Sequence, residues 1–428
     1  MNADSGDSGA VGRILMVAGV AVLVGELLAI CFLRYESVEA MRPLTIGAAA
    51  VCIAALVQVL AAGPRGWRWW LTPDALWHWC PFVVYAAALT ASARFAPDSV
   101  YPHIVAEAWW FAGLAIAAAC ITRHVRARRF TLAILIASLA LLMLGVFGPT
   151  SAPDLSGRFL RYSGLLQWGA YPEIGMLGML GAAAALAILL TARTWPLGIA
   201  AVILTGLFGV VPFVVNSRGA VVALVATAGW LVALVTLRGR RRLALLLVGV
   251  ACVTALGGAF VYRARIARVA QSSDNAQASA AVSSRAEDWR VAVRMIAAHP
   301  LFGVGPGRYP LEYARYSSAT PQSHAHNMLL HVGAEGGLLG LIPFALVWGR
   351  LLWLTLRASG AADADAMARR DALVLHAILA AFFIRGMTDQ FLSSVHSSFR
   401  TTLLMAIVLG LAEASATATR VDRDRAKR

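Results

Sequence analysis

Apolar stretches recur along the whole chain, broken by polar connections, and each runs roughly 20 residues, enough to cross about 30 Å of hydrocarbon as a helix. They fall at residues 13–33, 43–62, 79–96, 103–122, 130–148, 169–192, 196–215, 219–237, 243–262, 326–354, 372–392 and 398–416. This pattern predicts an all-α, polytopic integral membrane protein of about twelve helices. The N-terminal segment MNADSGDSGA is polar and acidic with no basic region, so the first stretch reads as a retained span, not a cleaved signal.

The connections divide the chain unevenly. Residues 1–262 hold nine predicted spans, 263–325 a single long loop, 326–416 three more spans, and 417–428 a short basic tail. A loop of about 60 residues between membrane helices is long enough to need a function. Its first part, VAQSSDNAQASAAVSS, is small and polar and is expected to be mobile. Within SSRAEDWRVAVRMIAAHP, Ser284 and Glu287 form a capping box that predicts a helix start, and Pro300 marks its end. Trp289, Val293 and Ile296 share one predicted face and Glu287, Arg290 and Arg294 another, with Arg285 leaning toward the apolar side. A short amphipathic helix lying on the membrane fits these residues. The LFGVGPGRYP segment that follows is a turn region; no Lys-Ser/Thr follows it, which excludes a phosphate-binding P-loop. A smaller loop at 148–168 lies on the same side.

Composition agrees with the spans. Apolar residues make up 59% and charged residues 14%, against about 25% charged in soluble domains, and the mean hydropathy is +0.70. The arginine clusters at 123–129, 238–242, 369–370 and 423–428 all fall on one side if the spans alternate, and so do both termini. That side is read as the cytoplasm. The net charge of +15 is then topology and lipid-headgroup contact, not a nucleic-acid footprint. Five widely spaced cysteines, in or at the edge of spans, read as packing residues and not as a disulfide framework or a metal set.

The chemistry-bearing residues gather on the other side. In SHAHNMLLHVGAEGGLLG, His326 and Asn327 stand where the long loop meets a span. With Ser323 as cap, His326 falls in the first turn of the helix, where the dipole disfavours imidazolium and keeps the ring able to accept a proton. His324 and His326 lack a carboxylate or cysteine at ligand spacing, so no metal site is expected. Glu335, a carboxylate within a span, is a supporting candidate, and Gly333/Gly337 and Gly336/Gly340 are small-residue pairs suited to close helix packing. Arg218, next to Ser217 in VVNSRGA, is an arginine placed against the topological bias, with a guanidinium that forks onto phosphate oxygens. Arg285, Arg308 and, in the smaller loop, Arg158 and Arg161 are further outward-facing arginines; together they suit a polyanionic ligand such as a pyrophosphate. Near the end, Asp389 is placed either to orient an imidazole or bind sugar hydroxyls, or simply to pair with Arg385 at i,i+4.

Three segments in this order, NSRGA, SRAEDWRVAVRMIAAHPLFGVGPGRYP and HNMLLHVGAEGGLLG, resemble the O-antigen ligase and polymerase superfamily. The His-Asn-x9-Gly-x-x-Gly pattern of His326, Asn327, Gly337 and Gly340 resembles the O-antigen ligases in particular. The resemblance implies a membrane-embedded, GT-C-like glycosyltransferase of the bacterial inner membrane that needs neither metal nor cofactor. Its reaction would move a finished polysaccharide from undecaprenyl pyrophosphate to the lipid A–core at the periplasmic face, in lipopolysaccharide biosynthesis. Carried over, His326 would be the base and Arg218 and Arg285 the pyrophosphate clamps. The alternatives are an O-antigen polymerase with the same donor, a protein O-oligosaccharyltransferase, and, from another class, a transporter. A transporter should show an internal repeat or paired interrupted helices, and the chain shows neither.

Overall fold

A computed structural model of the chain describes residues 5–32, 41–62, 73–95, 102–146, 171–215, 217–239, 249, 274–361, 364–390 and 399–426. The predicted span at 243–262, apart from residue 249, and the smaller loop with Arg158 and Arg161 lie outside the described residues. What is described is helical: α1 Ser5–Phe32, α2 Met41–Ala61, α3 Pro73–Phe95, α4 Pro102–Ile121, α5 Val125–Val146, α6 Tyr171–Thr191, α7 Trp195–Val214, α8 Arg218–Leu237, α9 Asp274–Ala298, the short α10 Tyr309–Glu312, α11 Met328–Ser359, α12 Ala366–Gly386 and α13 Phe399–Ala426. Among the described residues, eight helices are long and apolar enough to cross a membrane.

Two helices form the centre of the bundle. Every residue of α13 from Phe399 to Ala416 is buried, and α6 is buried almost throughout. The run YPEIGMLGMLGAAAALAILLT shows how α6 gets there. A methyl group on Gly178 or Gly181 would press on Phe208 or Val211 of α7, so the small-residue stripe lets the two backbones approach closely. The lipid-facing sides carry the exposed apolar residues instead, among them Val222 and Val225 on α8 and Leu339, Ile342 and Leu346 on α11.

The charged side chains sort to two ends. At one, Arg129 bonds Asp371 and Asp365, each at 2.9 Å, Arg238 reaches the Ser359 hydroxyl at 3.1 Å, and Arg128 donates to the Ala414 carbonyl at 3.2 Å. At the other end lie the start of α8, the end of α12, the whole 274–327 segment and the start of α11. Next to Ala414, Glu413 of α13 forms a buried pair with Arg350 of α11.

One expectation for the long loop is corrected and another gains a second face. The helix does not begin at Ser284: α9 starts at Asp274, so the segment expected to be mobile is helical from there on. Four alanines between residues 276 and 281 give it helix propensity that a cap-first reading overlooks. The face packed against the protein is a separate one. Asp288, Val291, Ala292 and Met295 point inward, while Trp289 and Val293 are exposed. The true inward stripe follows the same i, i+3, i+4, i+7 spacing but includes a carboxylate, which a purely apolar criterion passes over.

The predicted continuous helix at 326–354 is corrected too. The helix α11 starts at Met328 and is interrupted at Gly337, where φ is 61° and ψ −164°. There the 299–308 turn crosses it: Leu338 N donates to Pro300 O at 2.8 Å and Val304 N to Ala334 O at 2.8 Å. A side chain at Gly337 would overlap the Leu301 carbonyl, so only glycine meets both the dihedral and the contact. Gly336 and Gly340 face Leu89 of α3, the close packing expected of them.

Candidate active site

The site is assembled where α8, α9, α11 and α12 meet. Asn327, not Ser323, caps α11: its Oδ1 accepts from Leu329 N at 3.0 Å and Leu330 N at 3.1 Å, and its Nδ2 donates to Met387 O at 3.3 Å. His326 therefore precedes the cap and lies outside the first turn, because an amide oxygen one residue along reaches the free N–H groups better. His326 has a φ of 49°, in the left-handed region where a non-glycine residue is strained. Trp289 of α9 closes over it, its indole N–H directed at the His326 carbonyl at 3.4 Å.

On the other side of the imidazole stands Asp389, just beyond α12. Asp389 Oδ1 lies 3.4 Å from His326 Nδ1 and 3.8 Å from His324 Nε2. Asp389 Oδ2 accepts from Arg385 at 2.8 Å, and Arg385 also donates to the Thr388 hydroxyl at 3.1 Å. Burial opposes ionisation of Asp389, but contact with His326 and the charge of Arg385 overcome it and hold the carboxyl well below the usual carboxylate range. At 3.4 Å the carboxylate of Asp389 faces Nδ1 without a closed hydrogen bond; a small rotation of the ring would bring the Nδ1 proton onto Oδ1 and leave Nε2 with its lone pair. This is the arrangement of an oriented general base.

The sequence shows no carboxylate near the two histidines; the fold brings one from more than sixty residues away, and His324, His326 and Asp389 offer donor atoms within 4.8 Å of one another. Their hydrogen bonds nevertheless suit an ion poorly. His324 Nδ1 accepts the His326 backbone N–H at 3.2 Å, so its Nε2 carries the proton, and Asp389 is already shared with Arg385.

The arginines separate. Arg218 is exposed at the first position of α8. The next residue, Gly219, packs so tightly against Arg385 that a side chain there would meet the guanidinium at 2.7 Å. This puts the N-terminal end of α8, with its free N–H groups and Arg218, beside the Asp389–His326 pair. Ser217 is buried against Gly175 of α6, where its hydroxyl makes no hydrogen bond. Arg285, half-buried on α9, is close enough to favour the charge of Asp288. Arg308 is placed differently: it is buried and paired with Glu312, which also binds Arg315 at 2.7 Å. Arg161 lies outside the described residues.

Glu335 does not face the site. Its carboxylate accepts from Gly307 N at 2.9 Å and Tyr309 N at 3.1 Å, and its carbonyl from Gly305 N at 3.0 Å. The group cradled by the glycine-rich turn is thus the chain's own carboxyl. His331, one turn earlier and buried, has Nε2 3.6 Å from that carboxylate.

Asp288 was not singled out by the sequence. It is buried on α9, accepting from the Tyr313 hydroxyl at 2.8 Å, while its carbonyl accepts from Tyr309 at 2.8 Å. Burial pushes its carboxyl up, and the hydrogen bond from Tyr313 and the nearby Arg285 only partly oppose this. Its one signal was position, three residues before Val291 on the inward stripe.

Fold and site together define a polytopic membrane protein with a histidine–carboxylate pair and an exposed arginine at one end of its bundle. Residues 204–345 match the family model described as O-Antigen ligase. Over that third of the chain it is similar to the O-antigen ligase family, whose members are glycosyltransferase-like ligases and polymerases of lipopolysaccharide or related glycans. The matched segment contains Ser217, Arg218, Arg285, Arg308, His326, Asn327 and Glu335; Asp389 comes from beyond it. No curated protein matches the chain.

Proposed function

We propose that the protein is an O-antigen ligase of the bacterial inner membrane, joining polysaccharide from undecaprenyl pyrophosphate to the lipid A–core on the periplasmic side. The observation that carries this reading is the Asp389–His326 pair, 3.4 Å apart, beside the arginine-bearing start of α8. The positive-inside rule assigns the arginine-rich end to the cytoplasm, which turns the site toward the periplasm.

In this mechanism His326 Nε2 takes the proton of an acceptor hydroxyl as its oxygen attacks the anomeric carbon of the donor. The bond between that carbon and the pyrophosphate oxygen breaks, and the electron pair leaves with the lipid pyrophosphate. Arg218, the N–H groups at the start of α8 and Arg285 stabilise that charge. Asp389 holds the His326 tautomer and balances the imidazolium, and Arg385 keeps Asp389 in place. A single displacement with one base and no protein nucleophile inverts the anomeric carbon. Arg308 and Glu335 act at a distance, by holding the turn that braces α11.

The test is complementation. In a ligase-deleted strain the wild-type chain should restore the O-antigen ladder on core, and His326→Ala, at equal membrane level, should not. A ladder absent there but restored in a polymerase-deleted strain would move the assignment to polymerase, the second reading that the shared family leaves in view.

A further inference from the structure

A cavity opens on the same end of the bundle, on the α3 flank of α11. It measures about 280 Å³ and is lined by Phe95 and Phe302, whose rings touch at a 39° tilt with centroids 4.6 Å apart, with Leu301, His299, Glu312 and Arg315. The hydroxyl of Ser92 on α3 donates to the carbonyls of Phe302 and Glu335, tying the end of α3 to this wall.

Three features describe its ligand. First, the walls are aromatic and aliphatic, and they continue onto lipid-facing surface. Leu301 is 57% exposed, its carbonyl accepts from Leu339 N, and from there Leu339, Ile342 and Leu346 run down α11 as one exposed stripe. Second, the rim is cationic. Arg308 and Arg315 share the single carboxylate of Glu312, so two positive charges meet one negative and one is left over. Arg315 is the outer member, its side chain 69% exposed. Third, the cavity stands apart from Arg218. The helix α11 takes 32 residues, about 48 Å of helix, between levels that α8 crosses in 20, about 30 Å. The Arg238–Ser359 bond marks the shared lower level, and Asn327–Met387 beside Gly219 the upper one. The helix breaks at Gly337 on the way. Before the break, Met328–Gly336, about 12 Å of helix, separates His326, beside the end of α12, from the turn that Ser92 of α3 ties down.

We propose that this cavity seats the membrane-anchored end of the second substrate, an anionic glycolipid acceptor: its chain lies along Leu339–Leu301 against the wall that Phe95 and Phe302 form together, and its phosphate meets Arg315. The inference rests on the transferase reading above. Donor and acceptor lipids then approach His326 from different flanks of α11, so neither must leave before the other enters. A distance of about 12 Å suits an acceptor whose reacting sugar is several residues from its lipid.

The experiment uses the full chain reconstituted in vesicles of phosphatidylethanolamine and phosphatidylglycerol, with lipid A–core as acceptor. A photo-crosslinking residue at position 95 should label the acceptor glycolipid, with no donor present and equally in a His326→Ala background. Labelling of vesicle phospholipid alone would overturn the proposal. In steady-state transfer, Phe95→Ala and Leu301→Gln, both exposed side chains, should each raise the acceptor KM roughly five- to tenfold while the donor KM and kcat stay put. An unchanged acceptor KM, or a rise in the donor KM instead, would also overturn it. Should wild type transfer nothing, the crosslink still tests the cavity, so the two readings fail separately.

Discussion

Replacing Asp389 by asparagine tests the dyad, because it removes a charge while nearly preserving shape. The carboxylate has two tasks: Oδ1 faces His326 Nδ1 at 3.4 Å and Oδ2 holds Arg385 at 2.8 Å. An amide that presents its NH2 to the imidazole favours the opposite tautomer, with the proton on Nε2, where it blocks proton acceptance. Losing an oriented base costs about 10²–10⁴ in rate, or roughly 3–5 kcal/mol of barrier. The second task affects folding. Arg385 is 2% exposed, and stripping a buried charge of its partner costs about 3–5 kcal/mol; the retained bond to Thr388 argues for the lower figure. The two losses separate in a double variant, Asp389→Asn with Arg385→Gln, which buries a neutral pair. Thermal unfolding in detergent should show most of the stability returning, while single-turnover transfer of labelled glycan stays low. A double variant that regains wild-type rate, or an Asp389→Asn rate within about threefold of wild type, would refute the orienting role. The sign of the pH dependence follows. The folded-state value is depressed, so the stabilisation from this carboxylate is complete above its unfolded value of about 3.9 and disappears only as pH falls through the lower folded value. Any acid limb of activity between about pH 5 and 7 then reports another group.

Arg218→Ala should leave unfolding temperature unchanged, since the side chain is exposed, and lower kcat/KM for the lipid-linked donor by about 10- to 100-fold in the same transfer assay. Gly337→Ala sets a methyl against the Leu301 carbonyl at a φ of 61°, and should cost upward of about 2 kcal/mol, read as a lower unfolding temperature and reduced membrane level. Asn327→Ala removes two cap bonds and the link to Met387; a loss of about 1–2 kcal/mol is expected, with a drop in kcat that Asn327→Asp, which still caps, partly restores.

Much of this protein was legible along the chain. Apolar runs of about 20 residues permit little but helices, because hydrocarbon leaves a backbone no other hydrogen-bond partners. The arginine clusters sort to one end because charged side chains stay near water, and the pairings of Arg129 and Arg238 show them gathered there. Arg218 stood out from sequence because it opposed that rule. Tertiary structure decided what the polar residues do. Asp389 reaches His326 only because α12 ends beside the start of α11, a neighbourhood with no trace in local spacing. Glu335 and Arg308 look from sequence like ligands for substrate, yet the fold spends them on a turn and an ion pair, since buried carboxylates and guanidiniums take the nearest partner available. The break at Gly337 was hidden because glycine in an apolar run reads equally as close packing, and only the turn crossing at Leu301 shows which of the two it serves. Local periodicity sets which segments are helices and which end of each meets water; which side chains meet across helices depends on packing between segments far apart in the chain, and the chemistry of the site resides there.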